Sequence, residues 1–208
     1  MRRGFGICCI ALGMCCLIAS AGFLVYNKWE AANARSASGN ILQDLRENAP
    51  EPTRAEDPAE ETGREEIADP PATMSQEMPT AQVDGYDCLG VLTIPVLELE
   101  LPVLADWSYK KLKVAPCHYF GSYYETDFVI AAHNYPTHFG RLSELRPGDL
   151  ILFTDISGDV HGYEVALLET LPGNATKEMI TSGFDLSLYT CTPGGASRVT
   201  VRCKAVGK

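Results

Sequence analysis

Hydrophobic and polar positions divide the chain into three stretches that follow different rules. Residues 4–26 run for 23 positions without a charge, more than the roughly 20 that a helix needs to cross a bilayer. From residue 30 to about 80, large apolar side chains are scarce and Glu, Pro, Ala and Thr dominate. Between Pro50 and Pro79 in particular, too little apolar surface is available to offset the entropy of ordering the backbone. That stretch reads as an acidic, largely disordered tether, with residues 40–47 as a short helical turn near its start. From residue 84 onward short apolar runs alternate with turn signals, the pattern of a strand-rich domain. The expected division is 1–29 for a cytoplasmic tip and transmembrane anchor, 30–83 for the tether and 84–208 for the folded domain.

Within that domain, residues 90–94, 97–104, 127–133, 150–154 and 160–171 read as strands, with Leu and Glu alternating over residues 97–101. Short helical turns fit residues 107–114, 141–145 and 177–181. The last strand pair, residues 187–191 and 198–202, is joined by Pro193, Gly194 and Gly195, a hairpin signal. Seven or eight short strands at this spacing describe a β-barrel or a sandwich. A turn centred on Gly194 and Gly195 sets Cys191 opposite Arg198. Because side chains alternate faces, Leu186, Leu188, Val199, Val201 and Cys203 then share an apolar face. Ser187, Tyr189, Cys191, Arg198, Thr200 and Arg202 share a polar one. A structural cysteine belongs with the leucines, as Cys203 does; Cys191 leaves the core face, which makes it a candidate nucleophile.

Charge changes the picture mainly by exclusion. The net charge of −10 is spread as +3 over residues 1–29, −8 over residues 30–80 (twelve acids, four arginines) and −5 over residues 81–208 (fifteen acids, ten bases). No basic patch fits nucleic acid. Arg2 and Arg3 before the apolar run keep the N-terminus in the cytoplasm and send the rest outside. The run is longer than a signal-peptide core, so an uncleaved anchor is expected over a cleaved signal at Ala19-Ser20-Ala21. Of the four cysteines beyond the anchor, Cys191 and Cys203 face opposite ways in the hairpin. A pair of Cys88 with Cys117 stays open, and four thiols are expected.

Candidate chemistry gathers on three residues. His133 ends an apolar strand and opens a loop, where binding groups are often built. A cysteine nucleophile needs its thiolate, which a nearby His⁺ or Arg favours. Arg198 across the hairpin can also donate to an oxyanion, with Arg202 on the same face as the alternative. His118 and His138 read as surface or loop residues and His161 as an exposed strand residue. The order Cys117, His118, His133, His138, Cys191 lacks a tight zinc-ligand spacing, and no metal site is expected.

Several of these segments together resemble the sortase family, the membrane-anchored cysteine transpeptidases of Gram-positive cell surfaces. Sortases carry Thr-Leu-x-Thr-Cys at a strand end; this chain has Ser187-Leu188-Tyr189-Thr190-Cys191, with Ser in place of the first Thr. They place an arginine at the start of the next strand, the position of Arg198. Their histidine follows an apolar strand, often in Ala-Gly-His; here it is Ala131-Ala132-His133, with Ala for Gly. Residues 90–95, 101–103, 139–142 and 147–149 are also similar to family segments, so the likeness covers about residues 89–206.

The resemblance implies a mainly β fold, a closed barrel of about eight strands with a few short helices after an N-terminal transmembrane helix. It implies that Cys191 forms a thioester with a C-terminal sorting signal of a secreted surface protein, often of the Leu-Pro-x-Thr-Gly kind. His133 would protonate the leaving amine and Arg198 would stabilise the oxyanion. Asn134, Tyr189, Thr190 and Arg202 would line the substrate groove. The acceptor would be an amine of a peptidoglycan precursor or a pilin lysine. No cofactor is implied, and the expected location is the cell membrane, single-pass, with the catalytic domain outside. Without a long apolar segment after Val206, a class B- or D-like enzyme is expected. Two other readings stay open. One is a cysteine hydrolase of cell-wall peptides, in which the cysteine usually precedes the histidine. The other is a non-catalytic module on a stalk, with an unreactive Cys191.

Overall fold

The computed structural model describes residues 2–48 and 78–207. Among these, a helix, α1 (Arg2–Asn48), is followed by nine strands: β1 (Ala81–Val83), β2 (Tyr86–Ile94), β3 (Leu99–Leu104), β4 (Cys117–Phe120), β5 (Phe128–Ala131), β6 (Leu150–Asp155), β7 (Val160–Pro172), β8 (Leu186–Cys191) and β9 (Ser197–Ala205). A short helix, α2 (Thr176–Ile180), lies between β7 and β8. The sheet order is β1-β2-β3-β4-β5-β8-β9-β7-β6, and β6 pairs back onto β2. That last pairing closes β2 to β9 into an eight-stranded barrel, with β1 a short edge strand folded back on β2. The choice between barrel and sandwich is thereby settled for the barrel.

Closure requires β2 to serve two neighbours at once. Gly90 pairs with Val103 of β3 on one side and with Asp155 of β6 on the other. A Cβ at residue 90 would lie 2.1 Å from the Thr154 carbonyl oxygen, and φ is +153°. Only glycine lets the strands approach this closely. The barrel is filled by the inward residues of every strand, among them Leu92, Ile94, Phe128, Ile130, Phe153 and Val201, all fully buried. Each such side chain contributes roughly 1.5–3 kcal/mol by leaving water.

The helix departs from the expected division of the chain. Its first half presents Leu12, Leu17, Ile18, Phe23 and Leu24 to the surroundings, exposed from the rest of the described residues, and α1 is long and apolar enough to cross a membrane. Past residue 30, where the sequence pattern predicts a tether, the helix continues without a break and packs on the barrel. Ala34, Ser38 and Ile41 are buried, a stripe at helical spacing. Ile41 joins a small cluster with Val83, Cys88, Leu104, Ala115 and Cys117, and Leu45 packs against it. Ion pairs from Glu30 to Lys113 and from Arg46 to Glu100 bracket the docked stretch. The folded region also begins earlier than residue 84, because β1 pairs with β2 from Ala81. Most of the acidic stretch read as a tether, residues 49–77, lies outside the described residues.

Candidate active site

The parallel pair β5–β8 builds the site. Ala131 is level with Tyr189. Just beyond, the Ala132 amide donates to the Tyr189 carbonyl at 3.2 Å, and the Thr190 hydroxyl donates to the Ala132 carbonyl at 2.9 Å. Cys191 ends β8, and His133 lies two residues past the end of β5, each two positions beyond the Ala131–Tyr189 pair. On the other side of β8, the antiparallel register sets Cys191 opposite Arg198, as the turn-centred hairpin predicts. The turn is tied by the Thr192 amide to the Ser197 carbonyl at 2.9 Å and by the Gly195 amide to the Thr192 carbonyl at 2.8 Å.

Cys191 is exposed. It lines a cleft of about 230 Å³ with Arg198, Tyr189, Trp107, Tyr109 and Tyr119, floored by Ala131 and Ala132. Trp107 stacks on Tyr119, with centroids 5.8 Å apart, and Tyr119 meets Tyr189 edge-on at 5.4 Å. Burial raises the Tyr189 phenol far above its ordinary range, so it stays neutral. The Arg198 guanidinium donates through Nη1 to the Gly195 carbonyl at 2.9 Å and to the Ser197 carbonyl at 3.1 Å, which holds it along its own turn. The buried thiols differ in kind: desolvation pushes Cys88 up to about 11 and Cys117 and Cys203 up to about 12. Such thiols are inert at neutral pH. All four cysteines beyond the anchor are free.

His133 follows Ala132 of the cleft floor but does not itself line the cleft; the charged groups that act on it are Glu30 of α1 and Lys113. Its ring stacks on Tyr135 at 3.9 Å and 16°, and its Nδ1 is buried without a hydrogen-bond partner among the described residues. Desolvation lowers its pKa, while Glu30 acts in the opposite direction and Lys113 in the same one; Asn134 beside it favours the charged ring. Gly140 shapes this loop. A Cβ there would lie 2.5 Å from the Asn134 carbonyl oxygen, so the chain after His133 folds tightly on itself only with glycine in place.

Two residues expected in the groove are elsewhere in character. Thr190 is buried, and its hydroxyl latches β8 to β5. Arg202 is 2% exposed. It donates to Glu169 Oε1 at 2.8 Å, Ser187 Oγ at 2.9 Å, the Glu178 carbonyl at 2.7 Å and the Met179 carbonyl at 3.3 Å. It clamps α2 onto the hairpin, so the outer face of β8–β9 is polar and covered at this end rather than open. Trp107, Tyr109 and Tyr119 are cleft residues absent from the sequence-based expectation. Trp107 and Tyr109 lie in the loop that joins β3 to β4 and Tyr119 in β4 itself, and nothing in their local pattern announces that they fold over β8.

His138 lies in a loop and His161 in β7, as expected, but these two and His118 are more enclosed than a surface position would leave them. His118 is half-buried, its two ring nitrogens 3.1 Å from the Ala105 carbonyl and 2.8 Å from the Gly121 carbonyl. His161 contacts Asp155 at 3.1 Å. His138 is fully buried, with neither ring nitrogen hydrogen-bonded among the described residues, and desolvation followed by the neighbouring His133 pushes it from 6.5 down to about 4. The unfolded chain therefore binds the proton first. Stability from the neutral ring is full above about pH 6.5 and is lost as pH falls toward 4, by about 3 kcal/mol in total. A His138→Phe protein should keep its barrel, unfold at a higher temperature near neutral pH, and show a flatter decline in Tm between pH 6.5 and 4. Thermal unfolding monitored across that range checks this. Among the described residues, no group of three or more His, Cys, Asp or Glu is placed to hold a metal ion.

Known proteins resemble this chain in sequence and in fold. A family model for the sortase domain matches residues 92–206. No curated protein matches in sequence. Sortase C1 from Streptococcus agalactiae is 25% identical with a TM-score of 0.53, over 61% of this chain and 72% of that one. Streptococcus pneumoniae sortase C is 25% identical with a TM-score of 0.51, over 58% and 70%. A Clostridium perfringens sortase D5 transpeptidase shares the fold at 22% identity and a TM-score of 0.52, over 58% and 80%. The domain match takes in the barrel from the middle of β2 onward and both sides of the cleft, and by it the chain belongs to the sortase family of cysteine transpeptidases.

Proposed function

We propose that this protein is a membrane-anchored transpeptidase that cuts a C-terminal sorting signal of a surface protein and joins the new end to an amine. The observation that carries this reading is the exposed thiol of Cys191 sharing one aromatic-walled cleft with Arg198, with His133 two residues past the end of the adjoining strand β5. The Cys191 thiolate attacks the scissile carbonyl and the negative charge moves to the carbonyl oxygen. Arg198 exchanges its bonds to Gly195 and Ser197 for that oxygen. The C–N bond breaks, His133 gives its proton to the leaving amine, and a thioester remains. An incoming amine attacks the thioester, loses its proton to His133 and releases the thiolate. Trp107, Tyr119 and Tyr189 supply apolar walls for the signal peptide, and Asn134 flanks its leaving side.

Residues 4–26 span the membrane in this reading, with Arg2 and Arg3 inside and the barrel outside. The solved relatives named above are C- and D-type enzymes; they favour that branch over a class B enzyme. The Streptococcus pneumoniae enzyme has pilin substrates, which makes a pilin lysine a reasonable acceptor to test beside a peptidoglycan-type amine.

The test is intact mass measurement after incubation with a small set of sorting-signal peptides, with and without added amine. An adduct on Cys191 that is resolved to an amide by lysine or a glycine peptide is the expected result. An adduct resolved only by water would make the protein a hydrolase. No adduct from a panel that loads a known sortase would favour the non-catalytic module.

A further inference from the structure

The docked half of α1 begins beside His133. Glu30 lies one helical turn beyond Tyr26, the last residue of the apolar run, so it sits about 6 Å along the axis from it. Its carboxylate meets Lys113 Nζ at 2.5 Å, from the loop between β3 and β4. The buried Tyr135 hydroxyl faces the same carboxylate without closing a full hydrogen bond to it, and the Tyr135 ring carries the stacked imidazole of His133. Three separate segments thus converge on one ring: the helix leaving the membrane, the loop that walls the cleft, and the loop after β5.

We infer that Glu30 is a positioning residue for His133: its carboxylate, acting through Tyr135 and directly through space, orients the imidazole and stabilises its charged form. This rests on the reading of His133 as the general acid. The consequence is that the site is complete only while the juxtamembrane turn of α1 is seated on the barrel. The groups facing His133 are Glu30 from α1, Lys113 from the β3–β4 loop, and Asn134, Tyr135 and His138 from its own loop. Burial is the largest influence and disfavours the charged ring; Glu30 opposes it and Lys113 adds to it. His138, held neutral by its own burial, adds no charge at neutral pH. Among the described residues, Glu30 is therefore the group outside the ring's own loop that favours protonation, and it comes from a different part of the chain.

The experiment uses the full chain in detergent micelles or lipid nanodiscs. The His133 imidazole is followed by NMR with ¹⁵N-labelled histidine and assigned from the spectrum of His133→Gln. Glu30→Gln should lower its titration midpoint by several tenths of a pH unit or more, and Lys113→Met should raise it. Glu30→Asp should restore much of the wild-type midpoint. Arg46→Gln breaks the other ion pair of the same helix, Arg46 to Glu100, and should leave the midpoint where it was. Peptide acylation near neutral pH should fall about tenfold in Glu30→Gln. An unchanged midpoint in Glu30→Gln overturns the proposal, as does an equal drop in Arg46→Gln, which would reduce Glu30 to a helix clamp. A His133→Asn protein that acylates at the wild-type rate would instead overturn the general-acid reading. The titration would still decide whether the electrostatic link exists.

Discussion

Cys191→Ala is expected to abolish thioester formation with a sorting-signal peptide while leaving the barrel folded. Loss of the nucleophile from a covalent mechanism removes about four or more orders of magnitude in rate. The side chain is exposed, so the change in stability should stay within about 0.5 kcal/mol. Cys203→Ala is the counterpart. That thiol is buried at the barrel wall and pushed up to about 12, so its loss should lower Tm and leave acylation in place. Intact mass after peptide incubation, alongside thermal unfolding, reads both effects in one series. A covalent adduct that persists in Cys191→Ala, or that vanishes in a folded Cys203→Ala, would reassign the nucleophile.

Arg202→Met should have the largest effect on stability. It strips the partner from Ser187, from the carbonyls of Glu178 and Met179, and from Glu169. Breaking a buried charged network costs about 3–5 kcal/mol; Glu169 is partly solvated, so the low end applies. For a domain of this size that is a fall of about 10 °C in Tm. Arg198→Met is expected to do the reverse. Among the described residues its guanidinium bonds only turn carbonyls, so Tm should hardly move, while loss of an oxyanion donor should cut acylation by about 10²–10³-fold. The two arginines stand on the same face of one strand, and this pair of variants separates them. A stable, inactive Arg202→Met beside an active Arg198→Met would exchange their roles.

The parts of the molecule legible in the sequence are those whose information is local. The β8–β9 hairpin is written in its alternation and in Pro193-Gly194-Gly195, so the Cys191–Arg198 pairing follows from counting. The short turns near residues 111, 142 and 176 likewise follow from nearby residues. What stays hidden depends on partners far along the chain. The continuation of α1 past residue 30 escapes a reading by hydrophobicity because its buried stripe is made of small side chains, Ala34 and Ser38, ahead of Ile41, and small residues give no hydrophobic signal. The outer face of the β8–β9 pair reads as solvated because Ser187, Thr200 and Arg202 are polar; α2 covers it and satisfies Arg202. His138 reads as a loop histidine because nothing adjacent shows that the loop folds inward under Tyr135. The aromatic walls of the cleft depend on where the β3–β4 loop lands, which only the barrel decides.

The parallel pairing of β5 with β8 has a kinetic meaning. Parallel neighbours cannot be joined by a tight turn, and here the connection carries the chain through β6, β7 and α2 before Ser187 reaches Val129. Closing such a loop is entropically slow, and proteins ruled by contacts of this range fold late and cooperatively. The ends of β5 and β8 that lead to His133 and Cys191 therefore come side by side only when β8 pairs with β5. Under the proposed mechanism, a chain still folding would carry the Cys191 thiol without His133 as its acid, and so would not begin acyl transfer on whatever peptide it met first.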